Sequence, residues 1–230
     1  MAGSSDAQIQ TLAAYYPQIM RLALALHGHD HAARAVAQSV MRDYLSLAAR
    51  NSADAEEDLT RWFVHHTIIT ARLPQTHSPD LTHDPLLRGS QAPSQWYPAF
   101  VTAIRALSGQ QREAIFLRFG EELDLRGIAT AMDCSTTAAQ MHLDASLGAL
   151  REYTGPLLES LVAELAAQYH AMGPADTMLF PAARKALRRY RWPRIIRRAA
   201  VLLLALAVTA LVIWAQPRIW GAVQQFLRHR

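Results

Sequence analysis

The chain has 230 residues, 51% of them hydrophobic, with 10 Gly and 11 Pro, a balance that excludes a disordered polymer and allows one medium domain or two small ones. Its single cysteine, Cys134, excludes an intramolecular disulfide framework and fits a reducing compartment. The formal charge of +4 hides a segregation: residues 1–176 hold 12 Arg and 19 acids (12 − 19 = −7), and residues 177–230 hold ten Arg plus Lys185 and no acid (+11). The sequence is an acidic body, repelled by a nucleic-acid duplex, joined to a basic end.

Apolar residues recur at intervals of three and four, and no period-two run is present, so the fold class is all-α. A first helix is expected over Asp6–Leu26, with Leu12, Tyr16, Ile19 and Met20 on one side. His27–His31 makes a turn. A second helix follows over Ala32–Arg50, with Val36, Val40 and Tyr44 in register, and a third over Leu59–Leu73, carrying Trp62, Phe63, Ile68 and Ile69. These helices make a first domain, 6–73. Residues 74–95 contain four prolines among Ser, Thr and Gly and read as a linker. A second domain of short helices spans 96–153. Residues 154–194 supply an extra amphipathic helix, opened by Pro156, and a basic juxtamembrane segment.

From Ala199 to Ala215 the chain runs 17 residues without a charge. At about 1.5 Å per residue this is about 25 Å, the short end of what crosses a hydrocarbon core of about 30 Å. Ile195 and Ile196 extend it if Arg197 and Arg198 snorkel, so a transmembrane helix is expected over 195–215, with a short extracytoplasmic tail at 216–230. A core helix with an all-round apolar surface has little room in so small a body. Eight cations precede the segment (Arg184, Lys185, Arg188, Arg189, Arg191, Arg194, Arg197 and Arg198) and three follow it. That bias implies a single pass through the cytoplasmic membrane with the body in the cytoplasm, and the eight cations are placed to grip anionic lipid.

No catalytic constellation is found: there is no Gly-rich phosphate loop, nucleophile elbow or HExxH pattern. Cys134 follows Asp133, the wrong sign to activate a thiol. The histidines of His27–His31 read as a polar turn rather than a metal site, and adjacent His65 and His66 point to different sides of a helix. The glutamate pairs Glu56/Glu57 and Glu121/Glu122 read as solvated breaks. The expectation is a non-enzyme without cofactor, metal or small-molecule substrate.

The strongest pattern lies between Ala103 and Arg151. Ile104, Leu107, Ile115 and Leu117 supply core positions. Leu125, Ile128, Ala129 and Met132 line a short helix, Asp133–Cys134 makes a tight turn, and Ser135 caps a helix whose core face is Leu143, Leu147 and Leu150. Two short helices so joined are the helix-turn-helix plan. Leu107, Arg112, Ile128–Ala129, Leu143 and Leu150–Arg151 resemble, without a gap, the promoter-reading C-terminal domain of extracytoplasmic-function sigma factors. More weakly, residues 10–73 resemble the polymerase-binding domain of that family, through Tyr15–Tyr16, Arg21–Leu22, Gly28, Gln38 and Trp62–Phe63.

The resemblance implies DNA contacts from Thr136, Thr137, Gln140 and His142, and polymerase contacts from Arg34, Gln38 and Arg42. The departures are systematic. The Thr-Val pair and the basic positions of the recognition helix have become Ala138, Ala139, Gln140, His142, Asp144, Ala145 and Leu147, the Glu of the Glu-Ile-Ala motif is Gly127, and the promoter-melting helix keeps Thr67, Ile68, Ile69 and a single Arg72. Duplex affinity depends on cations at about six to ten phosphate contacts, so autonomous promoter binding is expected to be weak or lost. Two readings follow. One is a membrane-anchored, sigma-like regulatory protein acting through RNA polymerase core or a sigma factor or its regulator; the other is a sigma fold used only as a membrane-tethered protein-interaction module without DNA binding.

Overall fold

The computed structural model describes residues 2–49, 58–72, 84–88, 94–174, 181–190, 192 and 200–209. Every regular element among them is helical, and no strand occurs among the described residues. Two compact units are present, Met1–Ala186 and Leu187–Arg230.

In the first unit, α1 (Ala2–His27), α2 (Asp30–Ala48) and α3 (Leu59–Ala71) pack against one another. α1 ends because Gly28 takes φ +74, a left-handed conformation that suits glycine, and donates its N–H to the Leu24 carbonyl at 2.8 Å. Asp30 in the first turn of α2 complements that helix's dipole. Asp58 caps α3 by accepting the Arg61 N–H. The aromatic centre of this group is Phe63, fully buried, with Tyr15 stacked on it at 4.6 Å and Tyr44 at 5.2 Å.

The second group comprises α4 (Tyr97–Ala106), α5 (Gly109–Ile115), α6 (Leu125–Met132) and α7 (Thr136–Thr154). Ser108 and Gln111 close a reciprocal capping box at the start of α5. α5 runs into a π-helical turn, Phe116–Gly120. After α7, a 3-10 turn at Gly155–Leu157 leads into α8 (Leu158–Ala171), so Pro156 opens a short turn and α8 begins two residues later. α8 lies on the π-helical turn with Tyr169 fully buried; its ring sits where a Cβ on Gly120 would come within 3.0 Å.

The described part of the expected linker is structured. Asp84 caps a 3-10 turn, Pro85–Leu87, through the Leu86 N–H at 3.0 Å, and Leu86 is fully buried. The rest of 74–95, apart from Ser94 and Gln95, lies outside the described residues. Helices from both expected domains therefore share one compact unit.

In the second unit, residues 200–209 are helical and exposed throughout, with Val201 to Leu206 at 65–66% for the large side chains. Among the described residues no helix is long and apolar enough to cross a membrane. The remainder of the 195–215 expectation lies outside the described residues.

Candidate functional site

The helix-turn-helix is formed by α6, a three-residue turn and α7. Asp133 adopts φ 55, ψ 52, which an Asp tolerates at modest cost, and its N–H bonds Thr130 O at 3.3 Å. Cys134 N–H reaches Ala129 O at 3.0 Å, and the Ser135 hydroxyl accepts Ala138 N–H at 3.1 Å. On α7 the buried positions are Ala139, Leu143, Ser146 and Leu150. Leu147, expected in the core, is only half-buried. The core position beside it belongs to Ser146, whose hydroxyl is satisfied by the carbonyls of Gln111 and His142.

Of the residues expected to face DNA, Thr136, Thr137 and Gln140 are exposed and His142 is half-buried. Gln140 does not present a free amide: it donates to Asp144 Oδ1 at 2.7 Å, an i,i+4 pair on the outer face. Reading adenine needs a donor and the acceptor of that amide together, and the bond to Asp144 occupies one of its two N–H groups. Met141, 67% exposed, and Ala145 and Gly148 complete the face, which carries no Arg or Lys from Thr136 to Leu150.

On α2, Arg34, Gln38 and Arg42 are all exposed at i, i+4 and i+8, so one ridge presents them together. Arg34 pairs with Asp30 at 2.8 Å, an exposed contact of small energetic weight. Arg184, Lys185, Arg188 and Arg189 are exposed along helical residues 181–190, while Arg191, Arg194, Arg197 and Arg198 lie outside the described residues.

Beneath these surfaces lie polar junctions with no direct sequence signal. Arg105 of α4 forms a bidentate pair with Asp84, Nε–Oδ2 2.6 Å and Nη2–Oδ1 2.9 Å, with the side chains 4% and 1% exposed. Its remaining nitrogen donates to the carbonyls of Ala25 and Leu26 at the end of α1. Arg72, at the end of α3, does the converse. It is bidentate to Glu113 of α5, 2.9 and 2.6 Å, and donates to Met132 O at the end of α6 at 3.0 Å. The Glu113 bond holds the Arg72 guanidinium above its usual range. His65 Nδ1 lies 3.1 Å from Ala131 O, so two of the carbonyls that α6 leaves open at its C-terminus are met from α3. Each helical group thus caps a helix of the other with an arginine.

A third junction centres on Glu121, expected to be a solvated break. It accepts from Gln18 of α1 and from the Tyr169 hydroxyl of α8. Burial and the adjoining Glu121 carboxylate raise the Tyr169 phenol well above its usual range. At the end of α1, burial together with His29, Arg112 and Arg105 lowers the His27 imidazole to about 4. His66 stacks on Trp62 at 3.9 Å while His65 turns to α6, so the two histidines serve different neighbours.

No three metal-ligating side chains converge among the described residues. An open groove of about 480 Å³ runs between the π-helical turn and α8, over Phe119, Val162 and Ala166, with Glu122 and Glu159 at its rim. No nucleophile–base pair lines it. The sequence matches no known family model and no characterised protein.

Proposed function

We propose that this chain is a membrane-anchored, sigma-factor-like regulatory protein that acts through protein contacts, with RNA polymerase core or a sigma factor or its regulator as partner. The observation that carries this reading is the outer face of α7: exposed, devoid of cations from Thr136 to Leu150, and with the Gln140 amide bonded to Asp144. Without cations to release counterions, such a face supplies little duplex affinity. The α2 ridge of Arg34, Gln38 and Arg42 is the polymerase-facing surface in this reading.

The membrane part of the proposal rests on the uncharged run Ala199–Ala215, on the exposure of every residue in helical 200–209, and on the exposed cations preceding it. An apolar helix exposed all round is costly in water and at home in lipid. The body then lies on the cytoplasmic side, close to anionic headgroups.

The test uses the full chain in lipid nanodiscs. Polymerase subunits or a sigma factor should co-purify with it, and the α2 substitutions Arg34→Glu and Arg42→Glu should abolish that. Promoter DNA should be retained only weakly at physiological salt. Tight, specific retention of a duplex with no polymerase present would overturn the reading.

A further inference from the structure

We propose that the unit Met1–Ala186 is a hinged clamp: its α1 edge, pinned by Arg105 and Asp84, is the hinge, and its α3 edge, closed by Arg72 and Glu113, is a latch whose release uncovers α3 and the helix-turn-helix turn together.

The two edges are built alike and buried unequally. Along α1, Gln18 meets Glu121, and seven residues on, the Ala25 and Leu26 carbonyls meet Arg105. The Arg105–Asp84 pair there is sealed, at 4% and 1% exposure. Along α3, His65 meets Ala131 O and Arg72 meets Glu113 and Met132 O. Here Arg72 is 34% exposed although Glu113 is 6% exposed, so water already reaches one partner of the latch. Salt screens an ion pair that water reaches and leaves a sealed one nearly untouched, so the α3 edge is the one that yields.

Chain connectivity permits the motion. Asp84 and the 3-10 turn it caps stay with the hinge, and eleven residues, 73–83, separate α3 from them. A chain of that length can span at most about 36 Å. Opening would leave Arg72 as an unneutralised cation and return the Ala131 and Met132 carbonyls to solvent beside Asp133–Ser135. It rests on the regulatory reading above that a partner gripping α3 or this turn is admitted only by the open form. The latch then sets how much of the protein is competent.

The experiment is hydrogen exchange of the full chain in nanodiscs, with alkylation of Cys134, the only thiol and a residue of the turn, as a second readout. Glu113→Gln should speed exchange of α3 and α6 about tenfold, with α1 and α4 as protected as in the wild type, and should raise the Cys134 alkylation rate. Wild-type protein taken from 0.1 to 1 M NaCl should move the same way, an arm that does not depend on the variant folding. Unchanged α3 protection in both arms overturns the proposal, even if Cys134 reacts faster, because loss of the neighbouring Glu113 charge alone would do that. Loss of protection in all helices at once overturns it too, since nothing then acts as a hinge. No partner is present, so a failed polymerase co-purification leaves this outcome unaffected.

Discussion

Deleting the Asp84 carboxylate is the sharpest perturbation the fold offers. Asp84→Ala strands the Arg105 guanidinium at a site where the two side chains are 4% and 1% exposed, with no other carboxylate among its bonded partners. Removing one member of a buried ion pair costs about 3–5 kcal/mol, because the survivor keeps its desolvation penalty and loses its counter-charge. The lost N-cap on Leu86 adds about 1 kcal/mol. A domain of this size has about 5–15 kcal/mol of stability in all, and about 2–4 °C of Tm accompanies each kcal/mol, so a fall of about 8–24 °C is expected. Far-UV circular dichroism melts and urea titrations measure it. Asp84→Ala with Arg105→Met, which removes the stranded charge and keeps much of the volume, should recover a substantial part of the loss. Should Asp84→Ala lie within about 1 kcal/mol of wild type, or the double variant be no better than the single, the pair is not the anchor its burial implies.

Three further outcomes are expected. Gly120→Ala sets a Cβ 3.0 Å from the Tyr169 ring, so urea titration should show a loss of about 1–3 kcal/mol, relieved when Tyr169 is also replaced by Leu. His27 is held at about 4 in the fold against about 6.5 in the unfolded chain, so between those values the unfolded state takes up a proton that the folded state refuses. Stability must fall as pH drops from about 6.5 toward 4, and His27→Gln should remove about one proton from that slope; equal slopes would clear His27. On α7, Gln140→Arg with Asp144→Arg replaces the amide–carboxylate pair by two cations and should steepen the salt dependence of duplex retention by about two ions, read from filter binding across a salt series.

The elements were largely legible in the sequence. The three-and-four spacing located α1–α3 to within a few residues, and Ser135 and Asp133 marked the turn of the helix-turn-helix because capping and left-handed backbone are local chemistry. The junctions were not legible, since partners such as Asp84 and Arg105, or Arg72 and Glu113, are distant in the chain and reach each other only after the helices pack. A weak signal did exist. Arg105 follows Ile104 and stands four residues after Val101 on the apolar side of α4, a position that demands a buried counter-charge. Glu121 escapes the sequence for a related reason: a polar pair after a glycine looks solvated until α8 folds back over it with Tyr169.

That return of α8 decides where the folding unit ends. The helix-turn-helix pattern stops at Arg151, and a truncation guided by it would cut near Tyr153. Such a fragment would lack Glu164, which takes both the Ser94 N–H and hydroxyl, and Tyr169, which roofs Gly120 and grips Glu121. Phe116, stripped of its stacked neighbour, would meet water. The smallest autonomous piece therefore reaches at least Met172, and the helix that the pattern leaves out is the one that seals the rest.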